Sequence, residues 1–324
     1  MGEWVYLKNM RRAALIIIGF IGTVLLGSLA WVIARQEGDA SESTAIAIVA
    51  IAALACVGLG LAWSKGIKKA LPDIGTALLT GVVIGAAIVW LQFAIQHSID
   101  RSAEQQSLRL TLNLQHDLAG IDVHHQNLRG LYLSYKDLRH ANLKDAQLQN
   151  TELRGSYLES SHMEGAHLDK AVLSNTHLSN ADLQEVQATR VNLTQARGTE
   201  TRLEGAHLIK AVFTEAVLRQ AYLSGAVLNE AELEGANFPG AQADHVYIED
   251  ARAAGIKFVG AELSFAHLNG SDLTRADLAY ARLGNADLTG AILHQIQLRG
   301  AAYNAYTRWP EGFDPVRAGA ILER

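Results

Sequence analysis

The sequence predicts three membrane-spanning helices in its first hundred residues, followed by an all-β solenoid closed by a C-terminal cap. Three observations predict this. Three long uncharged runs occupy the first part of the chain, a strict five-residue period occupies the rest, and an aromatic, proline-bearing tail ends it. The overall composition, 49% apolar with a formal charge of −5, is ordinary and hides this division between two kinds of sequence.

The uncharged runs cover about 13–34, 44–63 and 74–96. A helix rises 1.5 Å per residue, so each run is long enough for the ~30 Å hydrocarbon layer. Every charge in this region falls between the runs, and Trp31, Trp63 and Trp90 stand near their ends. Lys8, Arg11 and Arg12 precede the first run and Lys65, Lys68 and Lys69 precede the third, whereas the loop between the first two carries Glu37, Asp39 and Glu42 against one arginine. Basic loops stay in the cytoplasm. The expectation is therefore an uncleaved multi-pass anchor in a plasma membrane, with the lipid bilayer as partner and the rest of the chain extracytoplasmic. Gly81 and Gly85 form a GxxxG on the third run, a spacing that admits a second helix and thus a homo-oligomer.

Residues 98–117 read as a linker and N-terminal cap. Ser98–Ser107 is polar and continues the third helix; after it Leu108, Leu110, Leu112 and Leu114 alternate with polar residues, as in a strand or the start of a first coil.

From 118 to 303 every fifth residue is apolar and large at nearly every step. Leu fills 27 of these 38 positions, and the residue two before each is Ala in 22 cases and Ser or Thr in six. Neither a helix, of period 3.6, nor an ordinary strand, of period 2, accommodates five. A solenoid does, if each unit makes one side of a coil, the small residue and the Leu point inward, and the coils stack at about 4.8 Å. Two large residues per side would overfill the interior, so one must be small. Only Ala188, Gly198, Ala243 and Ala253 interrupt the large position, and Val186, Val246 and Ile256 stand close by to replace the lost volume. Gln126, Leu131 and Lys136 occupy the small position early on and predict a distorted first coil.

The unit A(D/N)LXX, as in AYLSG AVLNE AELEG ANFPG from Ala221 to Gly240, resembles the pentapeptide-repeat family, and the resemblance runs unbroken through 118–303. It implies a right-handed quadrilateral β-helix with four units per coil, about 45 Å long at the strand spacing. The tail, 304–324, carries TRWPEGFDP, which is similar to the tail of bacterial members. An open coil end exposes Leu side chains and unpaired amides, so Trp309 and Phe313 are the expected structural cap.

The chemistry is sparse. The lone Cys56 excludes a disulfide framework and cysteine metal centres, and the negative charge argues against a nucleic-acid partner. No HExxH, GxSxG, phosphate-loop or dinucleotide motif occurs. His167 and His207 share a column but stand two coils apart, roughly 10 Å, too far for one ion. A filled interior also lacks a catalytic cavity, so neither an enzyme nor a cofactor or metal is expected. Uncharged spans argue against a transporter.

What remains is surface. With four units per coil, Lys170, Arg190 and Lys210 fall in one column, followed by Glu230 and Asp250, while Ile209, Val227 and Tyr247 are outward by phase and map to one face in successive coils. These six apolar and basic residues are the candidate surface for a protein partner, and the solenoid end is a second route to a homo-oligomer. The expected function is a membrane-anchored binding or structural scaffold. The family also contains DNA-shaped proteins that bind DNA gyrase and confer quinolone resistance, which makes that role the alternative. Its electrostatics fit poorly, because residues 118–303 hold 22 acidic and 16 basic residues, whereas duplex DNA carries one charge per ~1.7 Å.

Overall fold

A computed structural model describes residues 72–323. The chain divides into two units, Met1–Ala103 and Glu104–Arg324. The first described element is α1, Pro72–Leu114, 43 residues long. Within the first unit it carries local side-chain bonds of an ordinary helix, among them Gln96 Nε2 donating to Asp100 Oδ1 at 2.9 Å.

The expectation of three membrane spans is corrected here. The first two runs, 13–34 and 44–63, lie outside the described residues. Among the described residues no helix is long and apolar enough to cross a membrane. The third run does not end as a separate span, because α1 continues without a break through Gln96, His97, Asp100, Arg101 and Glu104, so its described part is as much polar as apolar. The multi-pass plasma-membrane location, with the repeats outside the cytoplasm, rested on those spans and is withdrawn with them. Gly85 of the GxxxG pair has no heavy atom within 4 Å of where a Cβ would stand.

A second correction concerns Leu108–Leu114. They are helical, not extended. Leu112 is fully buried and Leu108 packs partly buried against the core one turn before it, while Leu110 and Leu114 face outward at 61% and 82% exposure. Alternation and a four-residue spacing coincide in this short run, and the helix uses the latter.

The second unit is the solenoid. Parallel bridges link the outward residue just before each inward Leu to the one 20 positions on, from Asp117↔Asp137 to Arg282↔Ala302. Four five-residue sides therefore make one coil. Two stretches are regular enough to be strands: β1 (Arg197–Thr199) pairs in parallel with β2 (Val217–Arg219). The interior holds the two predicted ladders, Ala and Leu, essentially without solvent, from Leu118 to Ala301. Phe238 and Phe258 stack inside it with centroids 5.3 Å apart. Volume is exchanged at the interruptions as expected: Ala188 and Ala253 are small, and Val186 and Ile256 are fully buried beside them.

Each corner needs a left-handed residue. Every fifth residue from 120 to 300 has a positive φ, and most are not glycine. The corner brings the amide of Ile121 within 3.1 Å of the Leu118 carbonyl, and the same bond recurs at most later corners. At Thr151 and Thr201, which replace Ala inside, the hydroxyl donates to a main-chain carbonyl, that of Leu128 at 3.0 Å and that of Leu178 at 2.9 Å. The buried oxygen is satisfied, which is why these residues are admitted. Thr201 also explains Gly198, since a Cβ there would stand 2.3 Å from its hydroxyl.

The first coil meets α1 instead of another coil. Its three misfit residues turn out to be the fastenings. Gln126 accepts from Gln105 Nε2 at 2.6 Å, Leu131 is buried, and Lys136, 8% exposed, sends its Nζ to the carbonyls of Asn113 at 3.1 Å and Gln115 at 2.5 Å. The last turn of α1 has no basic residue of its own, so Lys136 supplies the cation that its C-terminal carbonyls favour.

At the far end the register slips by one residue, Asp287 pairing with Arg308. The tail then closes the coil: β3 (Ala302–Tyr303) pairs with β4 (Ile321–Leu322). Trp309 stacks on Phe313 at 5.4 Å, meets Tyr303 edge-on at 5.6 Å, and packs with Phe313 against the core.

Candidate interaction face

The face that carries the six candidate residues is built by the second and fourth positions of the repeat and by its corner, the fifth. His207, Val227, Tyr247 and His267 succeed one another in a ladder of parallel bridges. Ile209 lies on the same side two residues after His207. The amide of Lys170 bonds to the Thr189 carbonyl at 3.0 Å, that of Arg190 to Ile209 at 2.9 Å and that of Lys210 to Asn229 at 3.0 Å, which places the basic residues in one corner column. Lys170, Arg190, Lys210 and Tyr247 are exposed, and Ile209 and Val227 are half-buried.

Further along, the sign reverses. Lys210 Nζ meets Glu230 at 3.1 Å, and Asp250 follows on the next coil. Tyr247 stacks on His267 at 4.4 Å, and round the corner His245 stacks on Phe265 at 4.7 Å. Glu249 lies 3.7 Å from the His267 ring.

The adjoining side holds the acidic residues Glu164, Asp182 and Glu204. Arg202 lies between the last two, 3.0 Å from Asp182 and 3.5 Å from Glu204. An open hollow of about 350 Å³ is lined there by Asn180, Glu200, Arg202, Glu204 and Tyr222. Its one cation is already engaged and it is walled on few sides, unlike the enclosed, convergent cleft that catalysis uses. His124 and His125 turn to different acids, Asp122 at 2.6 Å and Asp145 at 3.6 Å. Among the described residues no cluster of three or more His, Cys, Asp or Glu could hold a metal ion.

Local electrostatics are those of a solvated surface. Asp137 is held down at about 2, first by the hydrogen bond from the Arg139 side chain. Asp122 is lowered by His124 and Asp272 by the Thr274 hydroxyl. At Asp287 burial pushes upward, but bonds from Thr289 and the charge of Arg308 outweigh it.

The stacked fives correspond to a family model for pentapeptide repeats, which matches in eight copies over 127–159, 156–195, 199–228, 216–252 and 256–295, about half of the chain. The chain belongs to the pentapeptide-repeat family. Among solved pentapeptide-repeat proteins, it is similar to HetL, a protein involved in heterocyst differentiation regulation in the cyanobacterium Nostoc sp. strain PCC 7120, with 30% identity over 59% of this chain and 90% of that one and a TM-score of 0.27. A second pentapeptide-repeat protein from Nostoc PCC 7120 is 33% identical over 32% of this chain and 86% of its own, with a TM-score of 0.32. QnrB1, a plasmid-mediated fluoroquinolone resistance protein, is 18% identical over 65% and 92%, with a TM-score of 0.31. At these TM-scores none of the three carries a role over to this pentapeptide-repeat protein. No curated protein matches it.

Sequence reasoning located the basic column and the apolar strip. It missed the ring stacks of His245 with Phe265 and Tyr247 with His267. The signal was available, since each pair is separated by 20 residues, the length of one coil.

Proposed function

We propose that the repeat domain is a non-catalytic binding rod that offers the face of Lys170, Arg190, Lys210, Ile209, Val227 and Tyr247 to a protein partner. The observation that carries this reading is the fixed ladder of outward side chains: main-chain bonds hold every coil at one spacing, so the face arrives at a partner already ordered and loses little entropy on binding. An exposed aromatic and two half-buried apolar groups in the middle of the face, with charges beside them, match the make-up of protein interfaces. The interior is filled and offers no chamber for a substrate. A DNA-shaped gyrase binder has less support, because the column Lys170, Arg190, Lys210 interrupts the continuous negative surface that such a mimic needs.

The test is a photo-crosslinking amino acid placed at Tyr247 and, on the opposite side, at Lys257. A protein adduct from position 247 and none from 257 is the expected result. Equal adducts from both positions, or none from either, would overturn the reading.

A further inference from the structure

Around the point where its sign changes, the order of charges along the corner column of this face is antisymmetric. The column reads Lys170, Arg190, Lys210, then Glu230 and Asp250, with Glu249 beside Asp250. The apolar strip straddles the point of reversal, Ile209 on the coil of Lys210, Val227 on the coil of Glu230 and Tyr247 on the next. A surface positive at one end and negative at the other is complementary to itself in charge when turned end over end.

We propose that this face binds a second copy of the chain in antiparallel orientation, about a two-fold axis that crosses the face between the coils of Lys210 and Glu230; the proposal rests on the face being the binding surface. Such an axis lies in the plane of contact and across the rods. It reverses the direction of the rod and leaves each column facing its own column. Lys210 of each copy then meets Glu230 of the other, and Arg190 meets Asp250 with Glu249 alongside. Nearer the middle, Val227 meets His207 and Tyr247 meets Gln187 of the second copy. The contacts stay in step along the face because both ladders have the same spacing between coils. A two-fold axis along the rods instead keeps every level opposite itself, so that the basic coils face basic coils and the acidic coils face acidic ones. The antiparallel arrangement is therefore the one that charge selects.

The groups are available for this exchange. Lys210 and Glu230 are already paired within one rod, yet their side chains remain 43% and 55% exposed, and Tyr247 is 36% exposed. Arg190 and Asp250 sit on corners with φ of 60° and 53°, which ordinary side chains already occupy throughout this rod. Reversing either charge changes the surface and leaves the interior untouched.

The experiment is sedimentation velocity of the full chain with Arg190→Glu, Asp250→Arg, an equimolar mixture of the two, and the double variant. Thermal melting monitors the fold of each. The expected wild-type result is a dimer whose dissociation constant rises at least about tenfold between about 50 and about 500 mM salt. Each single variant weakens association at least about tenfold, since like charges then meet twice across the axis. The mixture restores it as a heterodimer, because Glu at 190 of one chain meets Arg at 250 of the other while the two native residues still meet each other. The double variant restores a homodimer for the same reason. A wild-type chain that stays monomeric at low salt, single variants that associate like wild type, or a mixture that fails to recover would each overturn the proposal. Monomeric wild type together with a crosslink from position 247 to a different protein removes self-association and leaves the binding face standing.

Discussion

The middle coils and the first coil are made of the same unit under different constraints. From Ala221 to Gly240 the inward small position is Ala four times in succession, because the next coil lies on either side and the interior has no room to spare. In the first coil the same position holds Gln126, Leu131 and Lys136, because one side of that coil faces the end of α1. A repeat that puts a long polar side chain in its small position therefore marks where the interior meets something other than a repeat. The residue type that breaks it tells what is met: an amide for an amide, an ammonium for a helix C-terminus.

The widest separation between the two regions comes from cutting the Leu ladder in the middle. Leu223→Ala or Leu228→Ala removes a fully buried side chain from a tube that cannot collapse around the gap, and should lower stability by about 2–5 kcal/mol. Ser224→Ala, on the outside next to Leu223, should cost less than ~0.5 kcal/mol. Denaturant unfolding of the three variants measures this, and equal losses would show that the inward register is misplaced.

Lys136→Met tests the first coil. The substitution keeps the length of the side chain but removes the ammonium from the carbonyls of Asn113 and Gln115, and should cost about 1.5–3 kcal/mol, the range for hydrogen bonds to charged groups. The loss should be local. Hydrogen exchange should quicken in residues 104–136 and stay unchanged near Leu223; uniform acceleration would mean that the two ends of the rod do not differ in kind.

The smallest effect is on the exterior of the first coils. Asp137 is depressed to about 2 by its bond to Arg139. A depressed carboxylate contributes stability that is present above its unfolded value, near 3.8, and is lost as pH falls through about 2. Asp137→Asn should therefore melt about 1 °C or less below wild type at neutral pH, and the gap should close on acidification through that window. A gap that persists at pH ~2 would assign the effect to packing and not to charge.

Much of the rod was legible because its period is strict. One inward Leu and one inward small residue per five dictate which side chains are buried, and a Thr inside announces a hydroxyl that finds a carbonyl. Leu108–Leu114 misled because Leu at every second residue also supplies Leu108 and Leu112, the four-residue spacing of a helix face. The first coil was legible as irregular, but not its contacts: Gln105, Asn113 and Gln115 lie before the repeats, where no period says what stands opposite what. The one-residue slip between Asp287 and Arg308 escaped for a related reason, since Tyr303 still keeps the count of five and the extra residue comes only after it. The membrane reading failed differently. Uncharged length alone does not make a span, since α1 carries the third run on into polar sequence. On the candidate face, columns were legible and stacking was not, because which rings touch depends on how each side chain leans toward the next coil.

The bridge from each five-residue unit to the unit 20 positions on makes this rod unusually sensitive to how its gene is lengthened. Gain or loss of 20 residues adds or removes a full turn and leaves every later side chain pointing in its former direction. Gain or loss of five keeps the interior equally well filled, since the unit is intact, yet turns everything downstream by a quarter of a circle. Inserted after Lys210, a single unit would carry Glu230, Tyr247 and Asp250 off the side where Lys170 and Arg190 remain. Such a change is nearly silent to the fold and drastic for the surface, so the arrangement of the outward side chains can be altered by the count of units while the core composition stays the same.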